Sequence, residues 1–160
     1  MMKKTLLSIM TMAILASSTV AYSNPVTKDI KVEATIPTLF SMSDNQGTAI
    51  EATPPLRMVH DADKGVYTIT KVVKLNGNGG DLKVSMTKEL ELIELKSGRK
   101  FTHIELKLDS AELKFGVPMK FEKGKFNQDV NLVISGKEPV GAVGGETYSG
   151  TLKLTLEAHT

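Results

Sequence analysis

The sequence predicts an all-β protein, a β-sandwich or barrel, on three observations. Apolar residues recur with period two in nearly every segment. Clusters of Gly, Pro, Asn, Asp and Ser separate these segments. The segments themselves are rich in Val, Ile, Thr and Leu, residues that suit a pleated, half-buried surface.

Val26, Ile30, Val32, Ala34 and Ile36 alternate with Thr27, Asp29, Lys31, Glu33 and Thr35, and Lys28 is the one charged member of the first set. Helical spacing does not fit this run, so it reads as a long strand with one face to bury. Pro37 blocks its continuation into a central strand. Residues 39–42 (LFSM) begin a second strand, closed by turn chemistry in residues 43–47 (SDNQG). Pro54 and Pro55 mark a loop before residues 56–60. Residues 66–75 (VYTITKVVKL) form a β-branched strand, and residues 76–81 (NGNGGD) supply positions tolerant of positive φ. Leu82, Val84 and Met86 then alternate again, so the expectation is a hairpin. Residues 88–95 (KELELIEL) have helical propensity but read better as a strand or an irregular turn. Further strands are expected at 101–108, in two short runs around Gly116 and Pro118, and at 130–134. A glycine-rich loop containing Pro139 leads to a last strand over residues 148–157 (YSGTLKLTLE). About eight short strands in one domain follow.

The N-terminus reads as a secretory signal peptide over residues 1–23. Lys3 and Lys4 precede an uncharged apolar run (LLSIMTMAILA), and Ala21-Tyr22-Ser23 fits a small-x-small cleavage rule. Cleavage after Ser23 is expected, with Ala21 the competing position. The run is shorter than the roughly 18–20 residues that a membrane span requires. Cleavage after Ser23 leaves 137 residues, enough for one core. Of the 20 basic side chains it removes Lys3 and Lys4, leaving 18 against 18 acidic ones. That balance argues against nucleic acid as a partner. The chain has no cysteine, which excludes a disulfide framework and thiol chemistry.

Catalytic chemistry finds no constellation. His60, His103 and His159 are scattered, and no nucleophile elbow, zinc-protease or phosphate-loop motif occurs. Residues 60–65 (HDADKG) resemble a calcium loop only in part: Lys64 stands where an oxygen ligand belongs, and no glutamate closes the loop. Glu89, Glu91 and Glu94 alternate with apolar residues and are expected to face water. Five Phe, three Tyr and no Trp offer little for sugar stacking. No cofactor and no metal are expected, and no enzymatic activity. The feature left over is the pair of chain ends, each a long alternating segment.

Both ends resemble the major fimbrial subunits of the colonization factor antigen I type, the class 5 pilins of the alternate chaperone–usher pathway. Residues 26–37 (VTKDIKVEATIP) are similar to their mature N-terminal segment, V-x-K-x-I-x-V-x-A-x-V with a proline near its end. Residues 145–156 (GETYSGTLKLTL) are similar to their C-terminal strand, G-x-Y-x-G-x-V-x-L-x-L. Between the two blocks the agreement is one of strand-rich texture and length. One departure is that Asn24-Pro25 precede Val26, where members of the family often start.

The resemblance implies an immunoglobulin-like β-sandwich that lacks one strand and is completed by a donor strand from the neighbouring subunit. It divides the chain into a signal peptide (1–23), a donor strand extension (24–36) and an incomplete pilin domain (37–160). Val26, Ile30, Val32, Ala34 and Ile36 are then the donor residues. Tyr148, Gly150, Leu152, Leu154 and Leu156 border the acceptor groove and pair with the chaperone. Four or five aliphatic side chains at roughly 1.5–3 kcal/mol each amount to a gross burial of the order of 10 kcal/mol. The partners implied are identical subunits in a polymer, a periplasmic chaperone, an outer-membrane usher and a tip adhesin. The location implied is a fimbrium at the cell surface, used in adhesion to host surfaces. The competing expectation is a self-contained periplasmic or secreted β-sandwich that binds a ligand or inhibits an enzyme, with residues 26–36 folded back as its own first strand.

Overall fold

The structure, a computed structural model, describes residues 28–37 and 39–159. The expected signal peptide, its cleavage sites and Val26 lie outside the described residues. Eleven strands follow in chain order: β1 (Phe40–Asp44), β2 (Val59–Asp61), β3 (Val66–Gly77), β4 (Leu82–Met86), β5 (Ile93–Glu94), β6 (Thr102–Leu108), β7 (Ala111–Glu112), β8 (Met119–Phe121), β9 (Val130–Lys137), β10 (Tyr148–Ser149) and β11 (Leu154–Ala158). Two short 3-10 turns, Ile50–Ala52 and Lys123–Lys125, are the helical elements among the described residues. The all-β expectation holds.

Residues 36–160 form one compact unit, and residues 1–35 are assigned to another. In the larger unit, one sheet runs β1-β3-β9-β6-β7, with β2 also on β3, and a second runs β11-β4-β8. All strand pairs within these sheets are antiparallel. The two sheets bury a shared core, as sandwiches do. Met42, Val73, Leu75, Leu106, Leu108, Leu132 and Ile134 come from the first sheet, and Leu82, Val84, Met86 and Phe121 from the second. Alternation produces this directly: on β4, Leu82, Val84 and Met86 are buried while Lys83 and Ser85 are half-buried. On β9, Val130, Leu132 and Ile134 are buried by the same rule.

The expected β3–β4 hairpin is corrected. β3 and β4 lie in different sheets. One edge of β3 is taken by β9 (Tyr67↔Gly136 through Val73↔Val130) and, beyond it, by the Asn127 N–H on the Leu75 carbonyl at 3.0 Å; the other is taken by β1 (Phe40↔Gly77 through Asp44↔Val73) and β2. The turn-forming run at residues 78–81 therefore carries the chain across the sandwich, and Leu75 and Leu82 meet in the core from opposite sheets. A hairpin and a crossing arch need the same alternation and the same turn residues.

Residues 88–95 are irregular, ending in the two-residue strand β5. Glu94, expected to face water, is buried. Its carboxylate accepts the Ser97 N–H at 2.5 Å, and its carbonyl accepts Gly98 N–H at 2.8 Å, with Gly98 at φ +70°. The side chain is turned inward because it caps the tight turn that follows it. The partial calcium-loop resemblance resolves as the β2–β3 turn: Asp61 accepts from Lys64, and Gly65 N–H reaches the Asp61 carbonyl at 2.8 Å.

Candidate functional site

Two strand edges on one margin of the sandwich are open among the described residues. β11 pairs with β4, from Leu154↔Met86 to Ala158↔Leu82, and has no strand on its other side. β1 pairs with β3, and on its other side only its end is met, where Ser43 is bridged to Ala49, so the edge from Phe40 to Met42 has no strand beside it among the described residues. The two strands approach one another at that margin, one from each sheet. Between them the core is only partly covered. Leu152, Leu154 and Leu156 pack against it but remain half-buried, as do Phe40, Ile50 and Met58. An apolar row beside unpaired backbone groups is what an extended peptide needs in order to add as a strand.

Residues 28–37 supply a segment of that kind. They form no strand, and every one of them is exposed. Ile30, Val32 and Ile36 are 83%, 85% and 83% exposed, and Ala34 is exposed too. A strand was expected here; the alternation is present, but residues 28–37 form none. Within the polar set, Lys31 and Glu33 form an ion pair at 2.5 Å.

The C-terminal block is not the single strand its alternation predicted. Tyr148–Ser149 pair with Glu94 and Ile93 of β5, whereas Leu154–Ala158 pair with β4. Gly150 lies in the break between them. A Cβ on Gly150 would collide with the Glu91 carbonyl, so this close backbone approach requires glycine. Tyr148 faces away from the leucine row. Its ring meets Phe101 edge-on at 5.0 Å, and Phe101 meets Tyr67 at 5.4 Å. Its hydroxyl donates to Glu146 at 2.7 Å, and Glu146 pairs with Arg99. The structure thus brings Leu152, Leu154 and Leu156 together at the open margin and sets Tyr148 in a separate aromatic run. The alternation pattern did not mark the half-buried Phe40, Ile50 and Met58 as packing on the core, because they lie on segments too short to show a period.

Ion pairs fasten the strands next to the open edge. Lys83 pairs with Glu157 across β4 and β11 at 2.7 Å. Asp81, just before β4, accepts from Lys120 at 2.8 Å and from the Lys123 N–H at 3.0 Å, and its carbonyl accepts His159 N–H at 2.8 Å. The Lys120 hydrogen bond holds the Asp81 carboxyl below its ordinary range, and the same bond raises Lys120. The Ser97 amide holds Glu94 low, and Lys100 does the same for Glu91. Carboxyls depressed in the folded state contribute stability above their unfolded values, about 3.9–4.3, and lose it as pH falls through the folded ones. The urea midpoint is therefore expected to be flat from pH 7 to about 5 and to fall below about 4. Asp81→Asn should flatten that acid limb; an unchanged limb would remove Asp81 from the account.

The family described as CS1 type fimbrial major subunit matches residues 26–157, nearly the whole span from the open N-terminal segment to β11. Among solved structures, the CooA pilin subunit from enterotoxigenic Escherichia coli is similar in fold, with a TM-score of 0.56 at 11% identity. That likeness covers 76% of this chain and 87% of the other. No curated protein matches the chain.

Proposed function

The chain belongs to the CS1 type fimbrial major subunits, structural proteins that polymerise into a fimbrium at the cell surface, and on that premise we propose that it joins its neighbours by donor-strand complementation. In this reading, Val26, Ile30, Val32, Ala34 and Ile36 of one subunit enter the open margin between β1 and β11 of the next. The single observation that carries it is the pairing, in one chain, of an exposed alternating segment with an open, half-covered leucine row. Strand addition covers the leucines and satisfies the β11 edge in one step.

The same edge needs protection before assembly. A periplasmic chaperone would hold it after export directed by residues 1–23, an outer-membrane usher would exchange chaperone for donor strand, and a tip adhesin would complete the shaft. The shaft then serves adhesion to host surfaces. Self-complementation by the chain's own segment, as in a secreted binding protein, is not favoured by the family.

Ile30→Asp and Val32→Asp test the reading. Each puts a charge into an apolar groove, at a cost of several kcal/mol where the carboxylate stays ionised, enough to cancel the surplus that strand addition supplies. Both variants should remain soluble with the chaperone and form no fibres in electron micrographs. Normal fibres from both would contradict the donor assignment.

A further inference from the structure

The turn-forming run at residues 76–80 does more than turn the chain. The β1–β3 ladder ends at Phe40↔Gly77, and the chain beyond Gly77 leaves for the opposite sheet. The backbone just ahead of β1 therefore has no strand beside it, and Asn78 stands in for one. Its Oδ1 accepts the Leu39 N–H at 2.8 Å, and its Nδ2 donates to the Pro37 carbonyl at 2.9 Å. Its own N–H reaches the Leu39 carbonyl at 3.3 Å. One primary amide thus supplies both the acceptor and the donor that a paired strand residue would offer. The close approach is possible because Gly77 has no side chain; a Cβ there would strike the Phe40 ring.

We propose that Asn78 is a positioning residue for subunit joining: it fastens the backbone at Pro37 and Leu39, so that a pull on the segment ahead is passed to the loop after β3 instead of peeling β1 from the sheet edge. This rests on the donor-strand reading, in which the preceding segment is held by another subunit. β1 is an edge strand of five residues. A ladder loaded from its end opens one rung at a time, and the Asn78 amide is the rung nearest the load. Its two side-chain bonds hold the Pro37 carbonyl and the Leu39 N–H, so the load meets the Asn78 amide before it reaches β1. The requirement is for an amide specifically. A carboxylate accepts from Leu39 but cannot donate to Pro37, and it sets negative charge against that carbonyl. A protonated carboxyl regains the donor.

The test uses Asn78→Asp and Asn78→Ser, with two readouts against wild type at each pH: protection of the Leu39 amide from hydrogen exchange in a donor-fused monomer, and fibre length after fixed shear. At pH 7, Asn78→Asp should lower Leu39 protection about tenfold and leave fibres about fivefold shorter. Near pH 3, below the carboxyl's ordinary value of about 3.9, its protection should return to within about twofold of wild type. Asn78→Ser, too short to bridge both groups, should be defective at both pH values. Wild-type behaviour of Asn78→Asp at pH 7 would overturn the proposal, and so would a defect of equal size at both pH values. Ile30→Asp, run alongside, separates the two readings. If it blocks fibres while Asn78→Asp is normal, the clamp alone fails; if Ile30→Asp and Val32→Asp both give normal fibres, the donor reading fails and the clamp with it.

Discussion

Joining a second copy of residues 26–36 after Thr160 through a short flexible linker is expected to raise the melting temperature of the isolated subunit by about 20 °C. At roughly 4 °C per kcal/mol for a domain of this size, that corresponds to a surplus of about 5 kcal/mol. The reason lies in the open margin. Leu152, Leu154 and Leu156 are half-buried and β11 is paired on one side only. A strand running back along β11 covers the leucines with the Ile30, Val32, Ala34 and Ile36 side chains and supplies the missing ladder. Tethering makes the addition intramolecular, so it does not depend on protein concentration. Calorimetry on fused and unfused chains measures the difference. A fused chain carrying the Ile30→Asp change in its appended copy should lose most of the gain. If the unfused chain already melts as high as the fused one, the sheet is complete without a donor.

Leu154→Glu is expected to fail earlier and more severely than any change in the donor segment. Leu154 begins β11, pairs with Met86, and packs against the core from the open side. A glutamate there loses the apolar contact and sets a charge beside buried Met86, a cost of about 3 kcal/mol or more. In a sandwich whose β11 edge is paired on one side only, that exceeds the margin expected for folding. The subunit should be degraded before capture, and co-purification with the chaperone should fall at least about tenfold. Ile30→Asp leaves the acceptor untouched, so its chaperone complex should form at wild-type yield and stall at polymerisation. Equal chaperone capture of Leu154→Glu and wild type would show that this strand is not where the chaperone pairs.

What could be read from the sequence was the strand content, and what could not was the partner of each strand. Alternation marks Leu82, Val84 and Met86 as facing a core, and they do. It cannot say whether residues 78–81 turn back within a sheet or cross to the other one, because both need the same flexible polar residues. Only the competition for β3's edges, won by β1 and β9, decides it. The C-terminal block shows the same limit: its parity is continuous from Tyr148 to Leu156, yet Tyr148 pairs with β5 and Leu154 with β4. Glu94 looked solvent-facing because a turn cap depends on the amide of Ser97, not on period. The leucine row at the open margin was legible, since three leucines at spacing two need a common apolar neighbour. The core packing of Ile50 and Met58 was not, because they sit in segments where no repeat develops. Residues 28–36 alternate but form no strand among the described residues. An alternation of that kind states a requirement for a partner without naming it.

The central claim is that this partner belongs to another copy of the chain. The absence of cysteine makes it directly measurable, because any disulfide in a double-cysteine variant must come from the introduced pair. Thr155→Cys, on the face of β11 opposite the leucine row, is combined in turn with Lys31→Cys, Glu33→Cys or Thr35→Cys, the polar set of the extension. Assembled fibres are oxidised and run on a denaturing gel without reductant. The account predicts that at least one pairing gives a ladder of covalent multimers that collapses to monomer on reduction. An oxidised monomer closed on itself, with no ladder from any of the three pairings, would show that the segment completes its own sheet and would contradict the account.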